Sequence, residues 1–213
     1  MSRYLKETVR CPICGDTLEV NTLLGYTTQG GSRELDGNTG SPEVYDLVQM
    51  CPHCGFVTTD FSDRLDYRMP GIIKSPEYRE FFEADGLSSD AKKAYLAGLM
   101  FEKTDDPGNA GIWYLRAWWA LRDGDDPAHS DKAWEKAVET IQQHVAKTAD
   151  RNASMVLVDL LRQKGEFAVA KDALSVLEDN LGNDITMIRI AAFERGLIAA
   201  RDTRPHLLSE VMS

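Results

Sequence analysis

The chain has 213 residues and a mass of 23.8 kDa, enough for one large domain or two small ones. Hydrophobic residues make up 43% and charged residues 27%, a composition that supports a packed core and excludes a disordered tail. The 24 Lys and Arg residues are outnumbered by 34 Asp and Glu residues, which gives a net charge of −10. Both residues 1–70 and residues 71–213 are acidic. Neither part therefore has the clustered cations that bind nucleic acid or an anionic membrane surface.

The sequence lacks the apolar segments that would place the protein in a membrane or direct it to secretion. The sequence contains no apolar run near the roughly 20 residues that cross a bilayer. Residues 1–7 also lack the apolar stretch of a secretory signal. We therefore expect a cytoplasmic protein that makes no membrane contact.

The four cysteines form two near-identical pentapeptides, Cys11-Pro12-Ile13-Cys14-Gly15 and Cys51-Pro52-His53-Cys54-Gly55. Two residues between cysteines let both sulfurs of a tight turn face one metal ion, with Zn–S distances of about 2.3 Å. Proline stiffens such a turn, and glycine accepts the positive φ with which it closes. The spacing predicts that Cys11, Cys14, Cys51 and Cys54 bind one Zn²⁺.

The predicted zinc is structural, because four thiolates leave no position open for water or substrate. Two other interpretations of the cysteine pairs remain: redox dithiols, which normally open a helix after a strand, and disulfides, which the expected compartment disfavours. His53 is interpreted as an exposed residue between ligands, because the cysteines already fill the shell.

The segment between the cysteine pairs predicts strands around a loop. Residues 17–23 roughly alternate and predict one strand, and Val44–Met50 is interpreted as the strand that leads into the second pair, with residues 56–59 continuing outward. Residues 25–42 contain five glycines and predict a surface loop; no phosphate-binding glycine motif is present.

From about residue 75 onward, apolar residues recur at spacings of three and four, which predicts helices. Asp90 is interpreted as the N-cap of a helix that ends near Lys103, and Asp106 as the cap of the next helix. Later helices are predicted over about 131–147 and about 185–200.

Residues 153–180 resemble the core of a tetratricopeptide (TPR) repeat. Leucines lead into Gly165-Glu166-Phe167, and the small residues Ala170 and Ala173 follow, which lets two helices approach closely. We therefore interpret residues 90–200 as antiparallel helix pairs stacked in a TPR-like manner, with one regular repeat.

An aromatic run, Trp113, Tyr114, Trp118 and Trp119, makes one helix apolar nearly all round. Such a helix is either deeply buried or uses one face for a partner. The sequence leaves both interpretations open, and the second predicts a homo-oligomer formed through the region of Trp113 and Trp118.

Catalytic signatures are absent from the sequence. Outside the cysteine motifs the histidines are His129, His144 and His206, and none belongs to an HExxH motif; no GxSxG motif occurs. The sequence therefore favours a protein without catalytic residues.

The segment from Tyr45 to Phe56, followed by Asp60-Phe61, resembles the uncharacterised bacterial family called domain of unknown function 2225 (DUF2225). The resemblance implies a first CPxCG motif, a Tyr-Asp strand into a second, and TPR-like helices. The family has no established activity, so the resemblance implies an architecture and no reaction.

Together these features predict an α+β fold: a small β-rich zinc ribbon over residues 1–70, a connecting segment over 71–89, and an all-α domain of TPR-like helical hairpins over 90–213. The predicted function is that of a non-catalytic zinc protein that acts as an adaptor for a protein or peptide partner, because stacked helix pairs create an extended binding surface. Two alternatives remain: a zinc ribbon associated with nucleic acid or transcription, which the acidic charge disfavours, and an enzyme with a site between ribbon and helices.

Overall fold

The computed structural model describes residues 3–25, 42–122, 124 and 126–211. The predicted glycine-rich loop, apart from its two end residues, lies outside the described residues. The strands are β1 (Arg3–Arg10), β2 (Thr17–Gly25), β3 (Gln49–Met50) and β4 (Val57–Thr58), and a 3-10 helix covers Pro42–Leu47. The helices of the described residues are α1 (Met69–Ile72), α2 (Pro76–Glu83), α3 (Ser89–Lys103), α4 (Pro107–Leu121), α5 (Pro127–Thr148), α6 (Arg151–Gln163), α7 (Phe167–Glu178), α8 (Ile185–Ala200) and α9 (Leu208–Val211).

The predicted α+β class is confirmed, since a small N-terminal strand region precedes a mainly helical remainder. The described residues fall into two compact units, the first comprising 3–25 and 42–137 and the second 138–211, with the division inside α5. The predicted connecting segment contains α2. The domain boundaries at 70 and 90 and the TPR-like stacking stay predictions.

In the first unit, each cysteine motif forms the turn of a small antiparallel hairpin. β1 pairs with β2 from Arg3 opposite Gly25 to Arg10 opposite Thr17, and β3 pairs with β4. Strand β1 was not predicted, because its residues are almost all exposed and show no apolar alternation.

The predicted strand over Val44–Met50 is wrong for most of its length, because the 3-10 helix occupies it and β3 is only two residues long. Side-chain contacts stabilise this turn. The Tyr45 hydroxyl donates to the carbonyl of Arg116 at 3.0 Å, and Asp46 accepts from the Tyr4 hydroxyl at 2.9 Å. Lys93 lies 3.4 Å from the same carboxylate. The Tyr-Asp pair therefore joins β1, α3 and α4, which a straight strand would not do.

Helices α3 and α4 form the core of the first unit. Gly98 of α3 allows the close approach, since a Cβ there would lie 2.7 Å from the ring of Tyr114. The N-cap of α3 is Ser88, whose side chain accepts from the N–H of Ala91, so the prediction of Asp90 as cap is wrong. Asp106 does cap α4, as predicted. Asp90 does not act as the cap because it already lies in the first turn of α3, where its carboxylate interacts favourably with the positive end of the helix dipole.

The aromatic run of α4 packs into this core. Trp113 and Trp118 are each 5% exposed, and Tyr114 is fully buried. The guanidinium of Arg116 lies 4.4 Å from the centroid of the Trp113 ring. This burial favours the core interpretation for both tryptophans. Self-association of the chain stays a prediction.

The second unit contains a hairpin of α6 and α7 that closes at Gly165, whose φ is 85°. Inside this unit Asp159, Arg162 and Glu194 are all 0% exposed. Arg162 pairs with both carboxylates, its Nε at 2.9 Å from Glu194 Oε2, and donates to the carbonyls of Asp202 and Arg204. The guanidinium thereby joins α6, α8 and the chain after α8.

Within the parts of the chain that the structure describes, no helix combines the length and apolarity needed to traverse a bilayer. The cytoplasmic location stays a prediction.

Candidate metal centre

The two cysteine motifs adopt the same backbone turn. In the first, the N–H of Gly15 donates to the carbonyl of Cys11 at 2.9 Å, and in the second Gly55 and Cys51 repeat this bond at the same distance. Both glycines have φ of 80°. Glycine adopts this left-handed conformation without a Cβ clash, which explains the residue after each second cysteine. We call these turns knuckle 1 (residues 11–15) and knuckle 2 (residues 51–55).

The knuckles bring all four sulfurs together. The Sγ atoms of Cys11 and Cys54 are 3.7 Å apart, as are those of Cys14 and Cys51. All four lie within 4.8 Å of one another, and no other cluster of three or more candidate ligands occurs among the described residues. The edge of a tetrahedron with Zn–S bonds of about 2.3 Å is about 3.8 Å. The cysteines are therefore positioned to hold one metal ion.

The thiols perturb one another electrostatically. Burial opposes ionisation of Cys11, but N–H groups of Cys14 and Ile13 outweigh it and lower its pKa. The N–H of Asp16 lowers the pKa of Cys14, yet burial and the adjacent thiols dominate and raise it to about 11. Burial, together with the thiols nearby, also raises the pKa of Cys54. Several thiolates this close repel one another, and a bound dication removes that conflict.

Knuckle 2 packs tightly against α2. The hydroxyl of Tyr78, a fully buried residue, donates to the carbonyl of Gly55 at 2.7 Å. A Cβ on Gly55 would lie 2.7 Å from the ring of Phe82. The Cys51 side of the centre is thus closed to solvent, and Cys51 is 0% exposed.

Knuckle 1 has a more open environment. Cys14 is exposed, and the guanidinium Nε of Arg10 donates to the carbonyl of Gly15 at 2.9 Å. His53 from knuckle 2 lies 3.6 Å from the carboxylate of Asp16, with both side chains about half exposed. His53 is therefore not among the four clustered ligands, in keeping with its interpretation as an exposed residue between them.

A pocket of about 170 Å³ in the first unit is lined by Pro12 of knuckle 1 and by residues that follow knuckle 2, and it bears on the enzyme hypothesis. Its apolar wall includes Phe56, Met100 and Phe101, and its rim carries Asp60 and Asp63. The N–H and hydroxyl of Ser62 lower the pKa of Asp60, which keeps that carboxylate ionised. The described residues that line the pocket include no histidine. The hypothesis of an enzyme with a site between ribbon and helices stays a hypothesis.

The buried cluster of Asp159, Arg162 and Glu194 was missed by the sequence analysis. Burial, helped by the nearby Asp159, raises the pKa of Glu194 to about 8. A charged residue in a helix is normally expected to face solvent. The one sequence feature that pointed to this ion pair was the i, i+3 spacing of Asp159 and Arg162. Because all three side chains are 0% exposed, no substrate reaches them, and their role is structural.

The fold and the site define a class of protein: a small two-hairpin ribbon whose four cysteines are positioned around one metal ion, continued by α-helices. A family model described as "Uncharacterized protein conserved in bacteria (DUF2225)" matches residues 4–161, and the chain belongs to this family. The resemblance given by the residues around the second knuckle is thereby confirmed.

One curated relative is a transcriptional repressor, NrdR, from Aromatoleum aromaticum. It is 35% identical over 86 residues, a match that covers 40% of this chain. The chain spans 43% of the length of that repressor. No solved structure matches the chain.

The residues that carry the family resemblance have structural contacts. Tyr45 and Asp46 anchor the 3-10 helix, as described above. Phe56 is 3% exposed, and its ring meets that of Phe61 edge to face, with centroids 5.9 Å apart. The motif therefore describes how the ribbon packs on α2, α3 and α4.

Proposed function

We propose that Cys11, Cys14, Cys51 and Cys54 bind one structural Zn²⁺. Two features support zinc: the all-thiolate set, and Sγ separations of 3.7 Å that fit a tetrahedral shell. A closed shell gives the metal a folding role, because a hairpin with strands of eight and nine residues and a hairpin with strands of two residues are each too small to bury a core of their own.

The zinc proposal is tested by metal analysis of protein purified without added metal. We expect one zinc per chain by mass spectrometry, and none in a Cys11→Ser, Cys51→Ser double variant. A ratio near zero in the wild type, or iron in place of zinc, contradicts the proposal.

We further propose that the protein is a non-catalytic adaptor that binds a protein partner through its helices. The observation that carries this proposal is the outer face of α8, where Ile185 is 69% and Ile188 44% exposed. Helix α8 also buries Met187, Ile190 and Ile198, so it is apolar on more than one side. Exposed apolar residues on a surface helix that already buries another face are typical of a site that contacts a second protein.

The adaptor proposal is tested by cross-linking the full-length chain in native lysate and identifying enriched proteins. We expect a small set of proteins to be enriched over an unrelated bait and lost with an Ile185→Ser, Ile188→Ser double variant. Val176→Ser on α7 is a matched control, since Val176 is 66% exposed. If nothing is enriched over the unrelated bait, the adaptor function is wrong.

A role in transcription is the second candidate, and the similarity to a transcriptional repressor favours it. The net charge of −10 opposes direct DNA binding, because phosphate contacts require clustered cations. A filter-binding assay at low salt separates the candidates. Retention of duplex DNA by the full-length chain would favour the transcription role, and its absence is expected from the adaptor.

A further inference from the structure

A groove between α7 and α8 lies in the second unit and has a volume of about 390 Å³. Its floor is apolar, since Leu174 is 2% and Ile198 7% exposed and Phe167 lies beside them. The groove is lined by Phe167, Ala168, Lys171, Leu174, Arg195, Ile198, Ala199 and Arg201. It is separate from the metal centre in sequence and belongs to the other compact unit.

The charged side chains of this groove are all cationic. Arg195 pairs with Glu178. Within the described ranges, no carboxylate forms an ion pair with Lys171 or Arg201; the Arg201 guanidinium instead lies 5.0 Å from the centroid of the Phe167 ring. The residues that line the groove include no acidic side chain, although the chain as a whole has a net charge of −10, so Lys171 and Arg201 are placed to attract a carboxylate at the edge of the apolar floor.

Arg201 holds its position despite backbone strain. Its φ is 55°, in the left-handed region that favours glycine. This conformation ends α8, as the N–H of Arg201 bonds to the carbonyl of Ile198 and that of Asp202 to Leu197. Glycine would end the helix without the strain, so the guanidinium at the rim is not a requirement of the turn.

The outer face of α8 extends the groove. Ile188, Ala192, Arg195 and Ala199 follow at spacings of four, three and four, which places them on one face of the helix. Ile188 is 44% exposed, and Ile185 one turn earlier is 69% exposed. From Ile185 to Ala199 this face runs for about 21 Å at about 1.5 Å per residue, the length of a partner helix of four turns.

We propose that the groove and this face of α8 bind an acidic amphipathic helix of a partner protein, with its apolar residues on Leu174, Ile188 and Ile198 and its carboxylates on Lys171 and Arg201. The inference rests on the proposed adaptor function and specifies the partner. Helix-in-groove recognition places apolar residues at i, i+3, i+4 and i+7 against such a floor. The rim cations select acidic over basic helices and accelerate encounter.

The first experiment measures binding of defined peptides to the full-length chain by fluorescence anisotropy. The probe is a labelled helical peptide with leucines at i, i+3, i+4 and i+7 and glutamates elsewhere. One control replaces the glutamates by lysines, and another keeps the composition but scrambles the leucine positions. We expect the acidic amphipathic peptide to bind at least about tenfold more tightly than either control, and less tightly as salt increases.

Variants locate the binding surface. Lys171→Glu is expected to weaken binding about 5- to 10-fold, because it replaces an attraction by a repulsion. Arg189→Glu is the matched control, since Arg189 lies on α8, is exposed and does not line the groove. Arg201→Gly relieves the strained φ, so its thermal unfolding should be unchanged or shifted upward, and weaker binding by this stable variant reports loss of the guanidinium and not of the fold.

Several outcomes overturn the proposal. Equal binding of the scrambled peptide shows nonspecific apolar contact, and equal effects of Lys171→Glu and Arg189→Glu show nonspecific charge. If Lys171→Glu abolishes binding of duplex DNA and leaves peptide binding unchanged, the groove binds nucleic acid instead. A dimer that Ile188→Ser converts to a monomer, with no peptide effect, assigns it to a second copy. Proteins captured from lysate equally by the wild type and Lys171→Glu refute the groove but not the adaptor function.

Discussion

The two knuckles have nearly the same sequence and the same backbone, but they differ in what surrounds them. Both close with a glycine at φ of 80° and share the same pair of backbone hydrogen bonds. Knuckle 2 is fixed by a buried tyrosine and an aromatic ring from α2, whereas knuckle 1 contacts Arg10 and has an exposed second cysteine, Cys14. Ligand spacing therefore determines the turn, and tertiary packing determines how much each turn contributes to stability.

Loss of the metal gives the largest expected effect on stability, and its cost should depend on how deeply the replaced cysteine is buried. Cys51→Ser places a hydroxyl at a 0% exposed site and is expected to cost at least about 3 kcal/mol of unfolding free energy, because it combines metal loss with polar burial. Cys14→Ser removes the same metal at an exposed site and should cost less. Urea unfolding and zinc content measure both.

Hydrogen exchange extends this test to chelation of the wild type. Chelation is expected to remove protection from the ribbon and from α2, which packs on knuckle 2, and to leave the α6–α7 hairpin protected. Loss of protection in every helix would show a single cooperative unit instead.

Alanine at the two glycines gives the next largest difference. Gly55→Ala adds a Cβ 2.7 Å from the Phe82 ring as well as backbone strain, for an expected cost of about 3 kcal/mol. Gly15→Ala adds the strain with only the flexible end of Arg10 nearby, for about 1–2 kcal/mol. Thermal unfolding of both variants compares them, and equal costs would mean that α2 does not fix knuckle 2.

The side chains that bond the two glycine carbonyls should also differ. Tyr78→Phe leaves a buried carbonyl without its donor and is expected to cost about 1–3 kcal/mol. Arg10→Met removes a bond that water replaces, for about 0.5 kcal/mol. A cost for Arg10→Met that exceeds that of Tyr78→Phe would reverse the comparison.

The smallest effect on stability is expected at His53 of knuckle 2, which contacts Asp16 directly after knuckle 1. His53→Ala removes an exposed contact with Asp16 and should change stability by less than about 0.5 kcal/mol. Zinc content should stay the same, since His53 is not one of the four clustered ligands. Reduced zinc in His53→Ala would mean that the imidazole, and not one of the cysteines, completes the shell.

The sequence predicted the cysteine cluster because C-x2-C spacing constrains the sulfurs locally, whatever surrounds them. Helix α8 was predicted over the observed residues because its start and end have local signals. The 3-10 helix at Tyr45 was missed because it depends on Arg116, Lys93 and Tyr4, which are distant in sequence. Periodicity alone carries no information on such contacts.

The candidate metal centre was likewise predictable only where its geometry depends on local sequence. The four sulfurs come from two local turns, and their spacing was sufficient to bring them together in the prediction. The packing of Tyr78 and Phe82 on knuckle 2 was not predictable, since both residues lie in a segment interpreted as a connection. The burial of Arg162 was not predicted either, because its partners Glu194 and the carbonyls of Asp202 and Arg204 are distant in sequence.

The two buried carboxylates around Arg162 make the second unit a proton acceptor, because the effect of burial outweighs that of the guanidinium, which favours their charged form. Glu194, with a pKa raised to about 8 by burial and by Asp159, keeps a proton in the folded chain that the unfolded chain releases near pH 4.5. Burial also raises the pKa of Asp159, in the same direction. Folding therefore takes up protons between these values, so the stability of the second unit declines as the pH rises from about 4.5 to about 8. The ribbon with its cysteine cluster and the helical unit that acid stabilises share one chain, so alkaline buffer and chelator should each weaken a different part of it.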